Sequence, residues 1–208
     1  MQVDAEPLGP PPRTQHARDA SRTSKASRAS TLSTMQKLDL AVETRRRASG
    51  PVRPRRARYK DPTGPEDFLQ LGIALHEAGH LERATSCFEK SSTISGGCCS
   101  GMLLHGLALR HGWGCKVDLP RAFGLFRQAA TSHTDGLALA VERFLTPREE
   151  GSRIELALAL YELAVSYRFG WGVERNKPMA VSYFRLASEL GDPDAQQDLD
   201  LILAGKVR

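Results

Sequence analysis

From Pro65 onward the apolar residues recur at helical spacing, in runs of 10–16 residues punctuated by Gly and Pro, with almost no β-branched alternation. The spacing predicts helices near Pro65–Glu77, Leu81–Ser91, Ser100–Arg110, Leu119–Ala130, Arg153–Phe169, Pro178–Leu190 and Pro193–Leu203, with a further short one within Thr134–Phe144. Before Pro65 no such pattern exists. Pro, Ser and Arg dominate residues 1–62, and too few large apolar side chains are present to offset the entropy of ordering them. The expected organisation is a disordered tail, 1–62, followed by an all-α part, 63–208.

The all-α part repeats itself. GLALRHGWGCKVDLPRAFGLFRQAA, from Gly106, and AVSYRFGWGVERNKPMAVSYFRLAS, from Ala164, stay in step 58 residues apart. Arg110 pairs with Arg168, Gly112 with Gly170, Trp113 with Trp171 and Gly114 with Gly172. Pro120 then pairs with Pro178, Ala122 with Ala180, Phe126 with Phe184, and Ala129 with Ala187. The excess over an ordinary repeat is an insertion at about 131–152, polar and charged at its end (TPREEGSR). The glycines let one helix end in a left-handed turn, and Asp118 and Asn176 stand where the next helix needs an N-cap. The following Pro falls in a first turn that can spare its N–H. The small Ala positions suit close helix crossings, which the Phe side chains fill. The pattern predicts helix hairpins of about 65–92, 100–130 and 153–190 and a partial fourth, 193–204, stacked because none can bury its apolar face alone.

One string invites a different reading. LHEAGHLE contains the His-Glu-x-x-His signature of zinc peptidases, in which two His one turn apart hold the metal. The signature needs one unbroken helix, whereas Gly79 falls at an expected reversal between His76 and His80. The extended form of the signature would also need Gly at Arg83 and His at Ser86. The surrounding segment instead resembles the tetratricopeptide pattern. Gly72 lies in a first helix, Gly79 at the turn, Ala84 and Phe88 in a second helix, and Gly72 precedes Gly106 by the 34-residue period of that family. No catalytic constellation, metal site or cofactor is therefore expected.

Alignment of the hairpins places His76, Arg110 and Arg168 at one position, the last turn of each first helix. In a tetratricopeptide-like array that helix lines the concave groove, so the three can form a ladder of donors to an acidic or phosphorylated partner; equally, cations there answer the helix dipole. Trp113 and Trp171 are the other binding candidates, the alternative being packing against the neighbouring hairpin.

Charge changes little for the array. The net +5 conceals a tail with 14 Lys+Arg against 6 Asp+Glu, so residues 63–208 are slightly acidic and specific nucleic-acid binding is not expected. Within the tail, Arg46-Arg47-Ala48-Ser49 is a string favoured by basic-directed kinases, and Arg53–Lys60 suits a nuclear import patch or an acidic surface; a solvated basic tail is the plainer reading of both. Cys87, Cys98, Cys99 and Cys115 are too few and too clustered for a secreted disulfide framework, and no apolar run suggests a secretory leader or membrane span. A cytoplasmic or nuclear protein is expected.

GLALRHGWG and YRFGWGV, each followed by a capped helix carrying Ala…Phe…Ala, resemble the Sel1-like repeat, a tetratricopeptide relative, over roughly Asp67–Leu203. LHEAGHLERATSCF, GMLLHGLALRHGWGC, LALYELAVSYRFGWGV and LASELGDPDAQQDL together resemble a fungal group of mitosis inhibitors and bud-neck regulators. The resemblance implies a right-handed α-α superhelix. It also implies a non-enzymatic adaptor that binds a regulatory, cell-cycle protein kinase and restrains mitotic entry, at the bud neck, septum cortex or nucleus. Fungal chitin-synthase regulators carry similar repeats, which makes regulation of cell-wall synthesis the alternative. Where the chain stops, at LILAGKVR, such repeats would continue, so either an uncapped helix with an exposed apolar edge or a truncated sequence is expected there.

Overall fold

A computed structural model describes residues 62–132 and 147–205 (backbone alone for 147–149), together with Lys37 and Thr44, all within one compact unit, 37–208. The expected tail lies outside the described residues except at Lys37, Thr44 and Pro62. So do Ser49 and the expected short helix within 134–144.

Among the described residues from Pro62 onward seven α-helices follow one another: α1 Pro65–Glu77, α2 Leu81–Thr93, α3 Cys99–His111, α4 Leu119–Thr131, α5 Pro147–Phe169, α6 Lys177–Glu189 and α7 Pro193–Leu203. Each packs on the next, and the first helices of successive hairpins also meet directly, α1 with α3 and α3 with α5. The described residues thus form an all-α solenoid of stacked hairpins. Helix α5 starts six residues ahead of the expected Arg153. Its opening PREE supplies Pro at the first helical position and two acids in the first turn, which start a helix although they belong to the insertion.

Local chemistry fixes the ends. The Asp118 carboxylate accepts from the Arg121 N–H at 3.0 Å, and the Asn176 side-chain oxygen accepts from the Met179 N–H at the same distance. The two Gly-Trp-Gly turns match bond for bond. Gly112 and Gly170 take left-handed φ values of 73° and 75°, and their N–H groups donate to Ala108 and Ser166, each at 2.8 Å. The second glycine of each turn reaches into the preceding hairpin. A Cβ on Gly114 would lie 2.3 Å from the Glu82 nitrogen, and one on Gly172 would lie 2.0 Å from the Leu119 carbonyl. Both positions must stay bare for the hairpins to close up.

The core repeats in the same way. Phe88, Phe126 and Phe184 are buried, with Ala84, Ala122 and Ala180 on the same second helices. Phe88 fills the space left by Gly72 and Phe126 that left by Gly106, where added Cβ atoms would stand 2.6 and 2.5 Å from the rings. The third hairpin carries a buried Ala164 at the aligned position.

Candidate protein-binding surface

Five residues singled out from the sequence come together at the seams between hairpins. The last turn of one first helix rests on the Trp of the following hairpin. The His76 ring lies 4.8 Å from Trp113, and the Arg110 guanidinium lies 5.2 Å from Trp171. Trp113 also stacks on His111 at 5.4 Å, and Trp171 on Phe169 at 5.0 Å. Both indoles are half-buried, so they serve as seam packing and keep one accessible side.

The cation ladder is not a row of open donors. Arg110 is ion-paired with Glu162 of α5, and the two side chains are only 7% and 1% exposed. Arg168 pairs with Asp198 of α7 at 2.8 Å, where the Tyr161 hydroxyl donates to the other carboxylate oxygen at 3.1 Å. Each arginine, in the last turn of its helix, therefore also ties its hairpin to the next first helix. Glu162 and Asp198, absent from the sequence reading, stand 36 residues apart. That is the 58-residue offset less the 22 residues of the insertion, so the acids follow the same repeat as the arginines. At the first seam the register puts His76 opposite apolar Leu104, which has no carboxylate to offer.

The first-helix face is also closed. Every residue of α3 from Cys99 to Leu109 and of α5 from Glu155 to Ser166 is buried. Consecutive helical residues point about 100° apart, so such runs bury the whole circumference. Within these runs His105 Nδ1 bonds the Ser92 hydroxyl at 2.9 Å, and the Ser100 hydroxyl donates to Glu155 Oε1. Burial lowers the pKa values of His76 and His105. Burial and, secondarily, the Arg110 cation bring His111 down to about 4. Burial thus disfavours the charged form of these three rings.

One partly accessible surface is aromatic. Phe123 of α4, Tyr167 of α5 and Tyr183 of α6 form a half-buried strip, the two tyrosines stacked at 5.6 Å and 7° and Phe123 edge-on to Tyr167 at 5.4 Å. Leu186, 45% exposed, lies on the same α6. In the 58-residue register Tyr167 and Tyr183 replace Leu109 and Leu125, and this exchange of aliphatic for aromatic was the available signal.

No zinc-peptidase geometry exists at HEAGH. His76 ends α1, Gly79 turns the chain at φ 81°, and His80 precedes α2, so the two rings do not share a helix. Among the described residues no three His, Cys, Asp or Glu converge on a metal-sized site, and none of the helices is long and apolar enough to cross a membrane. Burial pushes the Cys87, Cys98 and Cys115 thiols up, away from the reactive thiolate.

Residues 100–132 and 157–192, the two hairpins with Gly-Trp-Gly turns, match the model of the Sel1 repeat. These two stretches are Sel1 repeats. The chain is also 30% identical to the mitosis inhibitor nif1 of Schizosaccharomyces pombe, the match covering 65% of this chain and 21% of that protein. It therefore spans about a fifth of the length of this relative. Among solved structures, a Sel1 repeat protein from Oxalobacter formigenes is similar with 17% identity and a TM-score of 0.48, over 65% of this chain and 87% of that one. Sel1 repeats mediate protein–protein binding.

Proposed function

We propose that this Sel1-repeat protein is a non-enzymatic adaptor that restrains entry into mitosis by holding a regulatory protein kinase. The observation that carries the reading is the 30% identity to a protein named for mitosis inhibition. The geometry supports a choice of surface for that partner. With Arg110 and Arg168 committed to Glu162 and Asp198, the Phe123–Tyr167–Tyr183 strip is the surface suited to a protein partner, since half-buried Tyr stacks are rigid, amphipathic anchors.

The test is capture from a fungal extract on wild-type protein and on Tyr167→Ala/Tyr183→Ala, with helicity checked by circular dichroism. A cell-cycle kinase enriched by wild type and lost with the double substitution supports both halves of the reading. Recovery of cell-wall synthesis components in place of a kinase overturns the mitotic assignment. Unchanged kinase capture by the double variant removes the aromatic strip from it. Charge reversal at Arg110 is unsuited to this purpose, because it would strand a buried carboxylate and test folding instead.

A further inference from the structure

The second helices of successive hairpins carry equivalent positions that are filled differently from one hairpin to the next. Between α2 and α4, Arg121 donates to Glu89 at 2.8 Å, an exposed ion pair that bridges the two helices. Glu89 follows Phe88 as Arg127 follows Phe126, and Arg121 precedes Ala122 as Met179 precedes Ala180. The repeat therefore sets Arg127 of α4 against Met179 of α6, a cation in place of the acid and a thioether in place of the cation. These two positions hold no pair, and exposed Arg127 makes no ion pair among the described residues. Burial, and then Tyr167, raise the Tyr183 phenol pKa while the Arg127 cation opposes them, which puts the guanidinium beside the tyrosine stack.

The apolar exposure follows the same register. Met179 and Leu186, 36% and 45% exposed, flank Tyr183 at one-turn spacing, so the three share a face of α6. Leu186 stands two residues after Phe184, where the other second helices have Gln128 and Lys90. Two positions that are polar elsewhere in the repeat are thus apolar on α6, next to the aromatic strip that runs from Phe123 through Tyr167. Charge adds a direction. Helices α4 and α6 carry Arg121, Arg127, Lys177 and Arg185 against the single acid Glu189, in an array whose own balance is acidic.

We propose that the α4–α6 surface takes a linear peptide of the partner that presents a carboxylate to Arg127 and an adjacent apolar side chain to Met179, Tyr183 and Leu186. The peptide's Asp or Glu does for Arg127 what Glu89 does for Arg121, and its apolar neighbour excludes water from that ion pair. This chemistry of the ligand rests on the aromatic strip being the partner surface, as proposed above.

The probe is a phage-displayed library of random peptides of about twelve residues, selected on the purified full chain. Wild type enriches peptides with Asp or Glu a few positions from Leu, Phe or Trp. In fluorescence anisotropy the selected peptide binds roughly ten-fold more weakly to Arg127→Met, and its Glu→Lys counterpart binds Arg127→Glu better than wild type. Arg127→Glu/Met179→Arg rebuilds the Arg121–Glu89 arrangement, so it abolishes peptide binding without lowering the thermal midpoint, which separates lost binding from lost folding. Selection without acidic enrichment, or binding that Arg127→Met leaves unchanged, overturns the proposal. So does a dimer in sedimentation that the double variant abolishes, since a second copy would then be the occupant. The two readings fail separately. Kinase capture lost with Tyr167→Ala/Tyr183→Ala but kept by Arg127→Met overturns the acidic peptide and leaves the strip, whereas capture kept by both removes the strip and this proposal with it.

Discussion

Removing Arg110 should uncouple the second and third hairpins. Its guanidinium is 7% exposed and its partner Glu162 1% exposed, so Arg110→Met leaves a carboxylate in the seam with neither its cation nor water. Breaking one side of a buried pair costs about 3–5 kcal/mol, whereas replacing both sides with apolar groups of similar volume is roughly neutral or stabilising. The single variant should therefore lose about 3–5 kcal/mol, and Arg110→Met/Glu162→Leu should recover most of it. The Arg121–Glu89 pair is an internal control: its side chains are 52% and 50% exposed, so Arg121→Met should cost under about 1 kcal/mol. Urea unfolding followed by far-ultraviolet circular dichroism measures all three. Uncoupling should also broaden the transition, because a stacked array holds its cooperativity in its seams. A loss below about 1 kcal/mol for Arg110→Met, or a double variant worse than the single, would refute the buried-tie reasoning.

The remaining predictions concern the turns, the histidines and the core. Gly114→Ala and Gly172→Ala combine a left-handed φ with a backbone clash and should each destabilise by more than about 2 kcal/mol; Gly79→Ala, with nothing within 4 Å of the added carbon, should cost only the backbone term of about 1–2 kcal/mol, all read from thermal melts. Because His111 titrates near 4 in the fold and near 6.5 when unfolded, the unfolded chain binds more protons between those values. Its contribution, at most about 3 kcal/mol, is whole above pH 6.5 and is lost as pH falls toward 4; His111→Gln should flatten denaturation midpoints across that window, and an unchanged slope would count against a neutral buried ring. Gly106→Ala should cost about 1–3 kcal/mol by pressing on Phe126, and Phe126→Leu in the same chain should cost less than the two changes summed, a double-mutant cycle that fails if the sites are independent.

The hairpin ends were legible because they are encoded locally. Asp118 and Asn176 before Pro-bearing first turns, and glycines where φ turns positive, declare their roles within a few residues. The seams were legible only in part. The arginines were visible as a repeated position, but their acids lie in the following hairpin, across an insertion that hides the common register, and a Glu in LYELAV reads as the polar side of an ordinary helix. The concave groove was inferred from the open side of stacked hairpins, and pattern alone cannot show that this side is covered. One cue was present: MLLHGLAL and LALALYELAV are apolar all round, which marks a helix buried on every face.

The contact of Gly114 and Gly172 with the neighbouring backbone makes each turn a ruler. Rise from one hairpin to the next is set by main chain meeting main chain, independent of side-chain size and of how much sequence lies between the hairpins. The 22 residues at 131–152 are accommodated between hairpins joined by the same turn geometry as a repeat without them. Evolution, or an engineer seeking a place for a tag or a second binding module, can vary the chain between Ser132 and Pro147 while the glycine contacts keep the pitch of the array.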